Sequence, residues 1–304
     1  MAEKNPYKAY SDALVAEGLL IPTGVQGVFG FNAHFQHILD HLEQLITRIG
    51  QPLHPEVLRF PPVWSRAHYA CTDHLQTFPN LLGSVQSFVG GETEYHALIE
   101  KFEKKEDWGQ GLPSTSLVLA PAACYHLYPM ATGILPEGGR TINTCNYVFR
   151  HEPSDDPARM QIFRQYEFVR LGTPAQALAH RDDWLERGLN LLGSLGINCT
   201  AVVANDPFFG RANRIMKAMQ KEQELKYEIV VPICSEENPT AITSSNYHLD
   251  HFSLPFGIKT SDGQIAHSAC IGFGLERIVL ALFKTHGLRS GTWPEKVRKA
   301  LLLP

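Results

Sequence analysis

The sequence has no pair of cysteines at the two-residue spacing of a zinc ribbon or dithiol centre. Its six cysteines, Cys71, Cys124, Cys145, Cys199, Cys234 and Cys270, are scattered at long intervals. A chain of 304 residues can bury its own core, so a disulfide framework is not expected. A metal held by these thiols must draw its ligands from distant strands. No stretch approaches the roughly 18 apolar residues of a membrane span, and residues 1–11 carry charge without a signal-peptide core. No membrane association is expected, and a cytoplasmic location is. A basic excess is also missing: Lys+Arg number 27 against 31 Asp+Glu, for a net charge of -4 and a pI near 6.4. Nothing global would neutralise a nucleic-acid backbone, so such a role would need a local patch. Internal repeats, low-complexity tracts and Pro-, Gly- or Ser-rich linkers are absent as well. One mixed α+β domain over residues 1–304 is therefore expected.

What is present is apolar and aromatic: 44% hydrophobic residues, with 16 Phe and 10 Tyr. Residues 32–49 place Phe35, Ile38, Leu39, Leu42, Leu45, Ile46 and Ile49 at three- and four-residue spacing, which predicts an amphipathic helix stopped by Gly50 and Pro52. A charged surface helix is expected over 92–106, and further helices over 174–195, 207–224 and 274–284. Short apolar runs bounded by turn residues predict strands at 84–90, 116–119, 144–149, 165–171, 199–204, 227–233 and 242–247.

Two segments carry chemistry. The first is Tyr147-Val148-Phe149-Arg150-His151-Glu152, followed by a polar loop and a second strand. A strand ending in Arg-x-Glu puts both side chains on one face, because side chains alternate with a period of two. A guanidinium can grip a phosphate there while the carboxylate accepts from an adenine amino group. By itself the pattern is more often a cross-strand ion pair. The second is Gly272-Phe273-Gly274-Leu275-Glu276-Arg277, two glycines that end a strand and open an apolar helix. Alone, it is more often a structural turn.

The pair together resembles the class II aminoacyl-tRNA synthetases, whose signature is a Phe-Arg-x-Glu strand–loop–strand followed later by Gly-x-Gly-x-Glu-Arg. The resemblance covers about residues 50–282. It implies an antiparallel sheet flanked by helices, with Arg150 on the α-phosphate, Glu152 and Arg159 at the nucleotide, Phe163 stacked on the base and Arg277 on the γ-phosphate of a Mg²⁺-bound ATP. Residues 57–65 look like the weaker dimer-forming motif of that class, which implies a homodimer. Within the class, the runs 159–167 and 245–252 are similar to seryl-tRNA synthetase. No long N-terminal coiled coil is present to hold a tRNA, however, and Thr240 stands where an acidic Mg²⁺ ligand is expected.

Those departures look like the truncated homologues called amino acid–carrier-protein ligases. That family implies Zn²⁺ on Cys124, Glu167 and Cys270, an open position for a substrate amine, and Asp206 on the substrate ammonium group. It also implies a carrier-docking helix at about 205–226. There Arg211, Arg214, Lys217 and Lys221 share one face, suited to an acidic phosphopantetheinylated carrier, although a solvated basic face is the ordinary explanation. Asp206 before Pro207 is equally a helix cap, and without the resemblance the two cysteines read as small buried apolar residues. The implied activity is ATP-dependent adenylation of glycine or alanine, then transfer to the carrier thiol, with no tRNA. A tRNA-charging enzyme and a non-catalytic amino-acid- or nucleotide-binding paralogue are the rivals.

Overall fold

The computed structural model describes residues 5–204 and 224–304. Its centre is a seven-stranded sheet of β1 (Glu56–Leu58), β2 (Arg140–Phe149), β3 (Ile162–Gly172), β4 (Thr200–Val203), β5 (Lys226–Val231), β6 (Thr240–Leu249) and β7 (His267–Gly274). The spatial order is β4-β5-β6-β7-β3-β2-β1, and every neighbouring pair is antiparallel except β1 with β2. The expected α+β architecture with an antiparallel sheet and flanking helices is what the chain adopts. The strand expected at 116–119 lies elsewhere. Ser114–Leu119 forms the middle of a separate three-stranded sheet with Val63–Ser65 and Ser84–Gln86.

Three helices cover one face: α1 (Ala33–Gly50), α2 (Pro174–Ser194) and α3 (Leu275–His286). The Asn32 side chain accepts from the Phe35 N–H at 2.9 Å and caps α1, whose buried stripe is Phe35, Ile38, Leu39, Leu42 and Ile46. The helix ends at Gly50, as the sequence suggests, but the glycine has a second role. It is the last residue inside it, and a Cβ there would lie 2.0 Å from the Phe168 ring, so the absence of a side chain lets helix and sheet touch. A reciprocal cap between Thr173 and Gln176 opens α2, and Trp184 on that helix stacks on Phe168 at 4.1 Å. An N-terminal helix, Pro6–Ala16, gave no strong periodic signal; Tyr10 anchors it by donating to the Leu280 carbonyl at 2.7 Å.

Side-chain alternation splits the core in two. Phe168, Ile271 and Phe273 face α1, α2 and α3 in the larger cluster, while Val169, Leu171 and Cys270 face a second cluster with Trp64, Leu127, Tyr128 and Phe252. The candidate site opens on that second face. The expected helix at 207–224 lies outside the described residues. The helical insertion expected at about 205–226 lies almost wholly outside them too, and β5 begins at Lys226.

Candidate active site

β2 ends at Phe149, three residues short of the Glu152 that the Arg-x-Glu reasoning places on the strand, so strand period does not align Arg150 with Glu152. A tight turn does: the Arg150 N–H donates to the Gln161 carbonyl at 2.9 Å and the Glu152 N–H to the Arg150 carbonyl at 2.7 Å. Arg150 Nε donates to the Pro121 carbonyl at 3.3 Å, and its guanidinium carbon is 5.6 Å from the centre of the Phe163 ring. Arg277 comes from the first turn of α3. It donates to the Ala158 carbonyl at 2.8 Å and the Ala241 carbonyl at 2.9 Å, and reaches the same Phe163 ring at 5.3 Å. Arg159 pairs with Glu152 at 3.7 Å.

Three guanidiniums thus converge on one wall. Burial, then the charges of Arg150 and Arg159, push Arg277 down to about 10. Cations crowded this way suit a polyphosphate, which relieves their repulsion and accepts their remaining hydrogens. The Arg150 and Arg277 guanidiniums both lie over the Phe163 ring. Gly272 and Gly274 keep the floor low. A Cβ on Gly272 would stand 3.5 Å from Gln165 Nε2 and 3.7 Å from Glu167 Cγ, and one on Gly274 3.4 Å from Arg277 Cδ. Glu276 in the same signature never reaches the cavity: buried, it accepts from the Arg164 N–H at 2.7 Å and from Arg164 Nε at 2.8 Å.

Beside this wall, Cys124, Glu167 and Cys270 bring one ligand atom each within 4.8 Å of the others, and all three are buried. Cys124 is not on a strand, contrary to expectation. It sits in the single turn Ala123–His126, fixed where the Ala123 N–H donates to Gln165 Oε1 at 3.2 Å. Glu167 and Cys270 are diagonal neighbours, since Glu167 pairs with Gly272 and Val169 with Cys270. Burial and the nearby Cys270 push Glu167 up to about 8, while Arg150 pulls the other way. The hydrogen bond from Cys124 holds Cys270 well below an ordinary thiol and raises Cys124 in turn. Among the described residues, the buried Glu167 Oε2 has no hydrogen-bond partner. An orphan carboxylate oxygen beside two buried thiols fits a borderline-soft cation such as Zn²⁺, which would displace protons from all three groups.

One cavity of about 1550 Å³ is lined by Arg150, Glu152, Phe163, Glu167, Cys124, Cys270 and Arg277 together. Single small-molecule pockets run to about 1000 Å³, so this one has room for a nucleotide and a second reactant. Arg159 and Thr240 also line it. Asp206, Arg211, Arg214, Lys217 and Lys221 lie outside the described residues. Gln165, Asn246 and His248 are among the lining residues that received no role from the sequence. The period-two signal could have found them. Gln165 shares a strand face with Glu167, and Asn246, paired directly with Cys270, shares one with His248.

This sheet, with an arginine loop and a glycine strand–helix on one cavity, is a class II aminoacyl-tRNA synthetase catalytic fold. Seryl-tRNA synthetase of M. kandleri, solved with A. aeolicus tRNASec, superposes with a TM-score of 0.81 at 20% identity over 96% of this chain and 60% of that one. The Pyrococcus horikoshii seryl-tRNA synthetase complexed with ATP gives 0.70 at 14% identity over 97% of this chain and 62% of that one. No family model matches the chain. It is 41% identical over 289 residues to amino acid–(acyl-carrier-protein) ligase 1 of Bradyrhizobium diazoefficiens, covering 94% of this chain and 88% of that protein. The chain belongs to the amino acid–(acyl-carrier-protein) ligase family and is a ligase. Type-2 serine–tRNA ligase of Methanococcus maripaludis is 29% identical over 198 residues, which span 62% of this chain and only 38% of that enzyme.

Proposed function

We propose that the protein adenylates a small α-amino acid, glycine or alanine, and transfers it to the phosphopantetheine thiol of an acidic carrier protein. The observation that carries this reading is the shared cavity, in which a cationic wall for ATP adjoins a buried Cys–Glu–Cys cluster. Kinship with the Bradyrhizobium ligase supports the carrier as acceptor.

In the first step an α-carboxylate oxygen attacks the α-phosphorus and pyrophosphate leaves, with Arg150 and Arg277 bearing the phosphate charge and Glu152 orienting the adenine. Mg²⁺ enters with ATP, and Arg159 and Phe163 complete the nucleotide site. Cys124, Glu167 and Cys270 would hold Zn²⁺, which would supply a Lewis acid for the neutral α-amino group and so exclude acids lacking one. Asp206 is assigned to the same amino group. In the second step the carrier's sulfur attacks the carbonyl carbon, its proton passes to solvent and AMP departs, leaving an aminoacyl thioester. Arg211, Arg214 and Lys217 form the carrier-docking face, and the enzyme works as a cytoplasmic homodimer.

The similarity to serine–tRNA ligases favours one second reading, tRNA charging. Radiolabelled glycine offered with total tRNA and with a phosphopantetheinylated carrier separates the two. Label on the carrier alone is expected; label on tRNA and none on the carrier contradicts the proposal.

A further inference from the structure

β6 offers two side chains to Cys270 that neither step above employs. Asn246 is paired directly with Cys270 across the sheet, and its Nδ2 is 3.5 Å from the Cys270 sulfur. His248 Nε2 stands 3.5 Å from the same sulfur. The other ring nitrogen of His248, Nδ1, meets Ser268 Oγ at 3.0 Å, and Ser268 is completely buried. If the Ser268 hydroxyl donates to Nδ1, the proton of the neutral ring sits on Nε2 and points at sulfur; that tautomer is inferred from the partners. The ring is fixed edge-on to Phe252, with centroids 5.1 Å apart and an interplanar angle of 85°.

A competing role for His248 is a fourth metal ligand. Among the described residues, however, only Cys124, Glu167 and Cys270 have ligand atoms mutually within 4.8 Å. His248 reaches Cys270 from outside that group, so its nitrogen meets the sulfur rather than the centre of the cluster. An amide N–H and an imidazole N–H on one thiolate draw charge off the sulfur, leaving a bound cation more acidic toward its remaining ligand. We propose that Asn246 and His248 are positioning residues, whose two N–H···S hydrogen bonds to Cys270 set how tightly the metal centre holds the substrate amine. This rests on the zinc reading above.

The test uses the full-length enzyme loaded with Zn²⁺ or Co²⁺, comparing wild type with His248→Ala, Asn246→Ala and His248→Gln. In each alanine variant, Zn²⁺ affinity measured by chelator competition should fall about 10- to 100-fold. The sulfur-to-Co²⁺ charge-transfer band should move to lower energy, because a thiolate that has lost a donor gives up charge more readily. The KM for glycine should rise while that for ATP stays put, and His248→Gln, which keeps an N–H, should recover most of the affinity. A role confined to packing would leave the band where it is. Wild-type affinity and an unshifted band in both alanine variants would overturn the proposal. A wild-type enzyme that takes up neither metal would instead overturn the zinc reading beneath it, a result that reads differently.

Discussion

The two faces of the central sheet are made by alternate residues of the same strands, and they have opposite characters. On β3, Phe168 turns to a dry layer where it stacks on Trp184 at 4.1 Å and fills the notch left by Gly50, while its neighbour Glu167 turns to the cavity. On β7, Ile271 and Phe273 join the dry layer; Cys270 and Gly272 line the site. One face gains stability from apolar burial. The other, beside its own smaller apolar cluster, holds a buried carboxylate with an orphan oxygen among the described residues and an arginine whose charge is disfavoured, both of which cost stability until a ligand arrives. Site and scaffold are thus separated by single-residue steps, and substitutions on adjacent positions should divide cleanly between chemistry and folding.

The sharpest break is expected from Arg150→Ala. Amino-acid-dependent pyrophosphate exchange should fall on the order of 10³-fold or more, as for loss of a donor to developing charge, with a melting temperature close to wild type. A near-normal exchange rate would remove Arg150 from its assigned role. On the dry face Trp184→Ala should do the reverse, costing about 3–5 kcal/mol of unfolding free energy in a denaturant titration while exchange per folded molecule holds. Equal losses of both properties would show that the faces are not separable.

Cys124→Ala should lower bound zinc and glycine activation together, and unchanged zinc content on elemental analysis would take Cys124 out of the centre. The pH dependence of the metal-stripped protein sharpens the same contrast. Glu167 is raised from 4.5 to about 8, so the folded state holds its proton longer than the unfolded chain. Its stabilising share is complete below the unfolded value and is lost as pH climbs through about 8, a slope worth on the order of 5 kcal/mol in total. Glu167→Gln should flatten that slope, and an unaltered slope would locate the titration elsewhere. With zinc present the sign inverts, because deprotonated ligands bind the cation and its affinity should rise with pH. The smallest effect is expected from charge reversal at Arg211 and Arg214: transfer to the carrier slows several-fold, adenylate formation is untouched. Equal slowing of both steps would assign that segment another task.

Much of this was readable from the sequence where one period dominates. The stripe from Phe35 to Ile46 gave α1, and the Phe149–Arg150 and Gly272–Arg277 signatures gave two arginines that line one cavity. Readings failed where a contact distant in sequence decides the outcome. Gly50 reads only as a stop, and the helix does end on it, yet its notch for Phe168, far along the chain, has no local signal. The Arg150–Glu152 alignment looks like strand geometry, yet a hydrogen bond to Gln161 beyond the intervening loop fixes it. Cys124 lies on a short turn no periodicity marks, held by a Gln165 whose own importance appears only once β3 is in place. Glu276, beside Arg277 in the same signature, received no role from the sequence, and burial against Arg164 makes it a scaffold residue.

The most direct measurement is pyrophosphate exchange across all twenty amino acids, run on zinc-loaded and metal-stripped portions of one preparation with metal content determined on both. Exchange with glycine or alanine in the loaded portion, lost on stripping and restored by added Zn²⁺, is the expected result. Exchange that survives complete zinc removal with Mg²⁺ still supplied, or that no amino acid elicits from the loaded enzyme, would contradict a site in which cationic wall and Cys–Glu–Cys cluster act on one substrate.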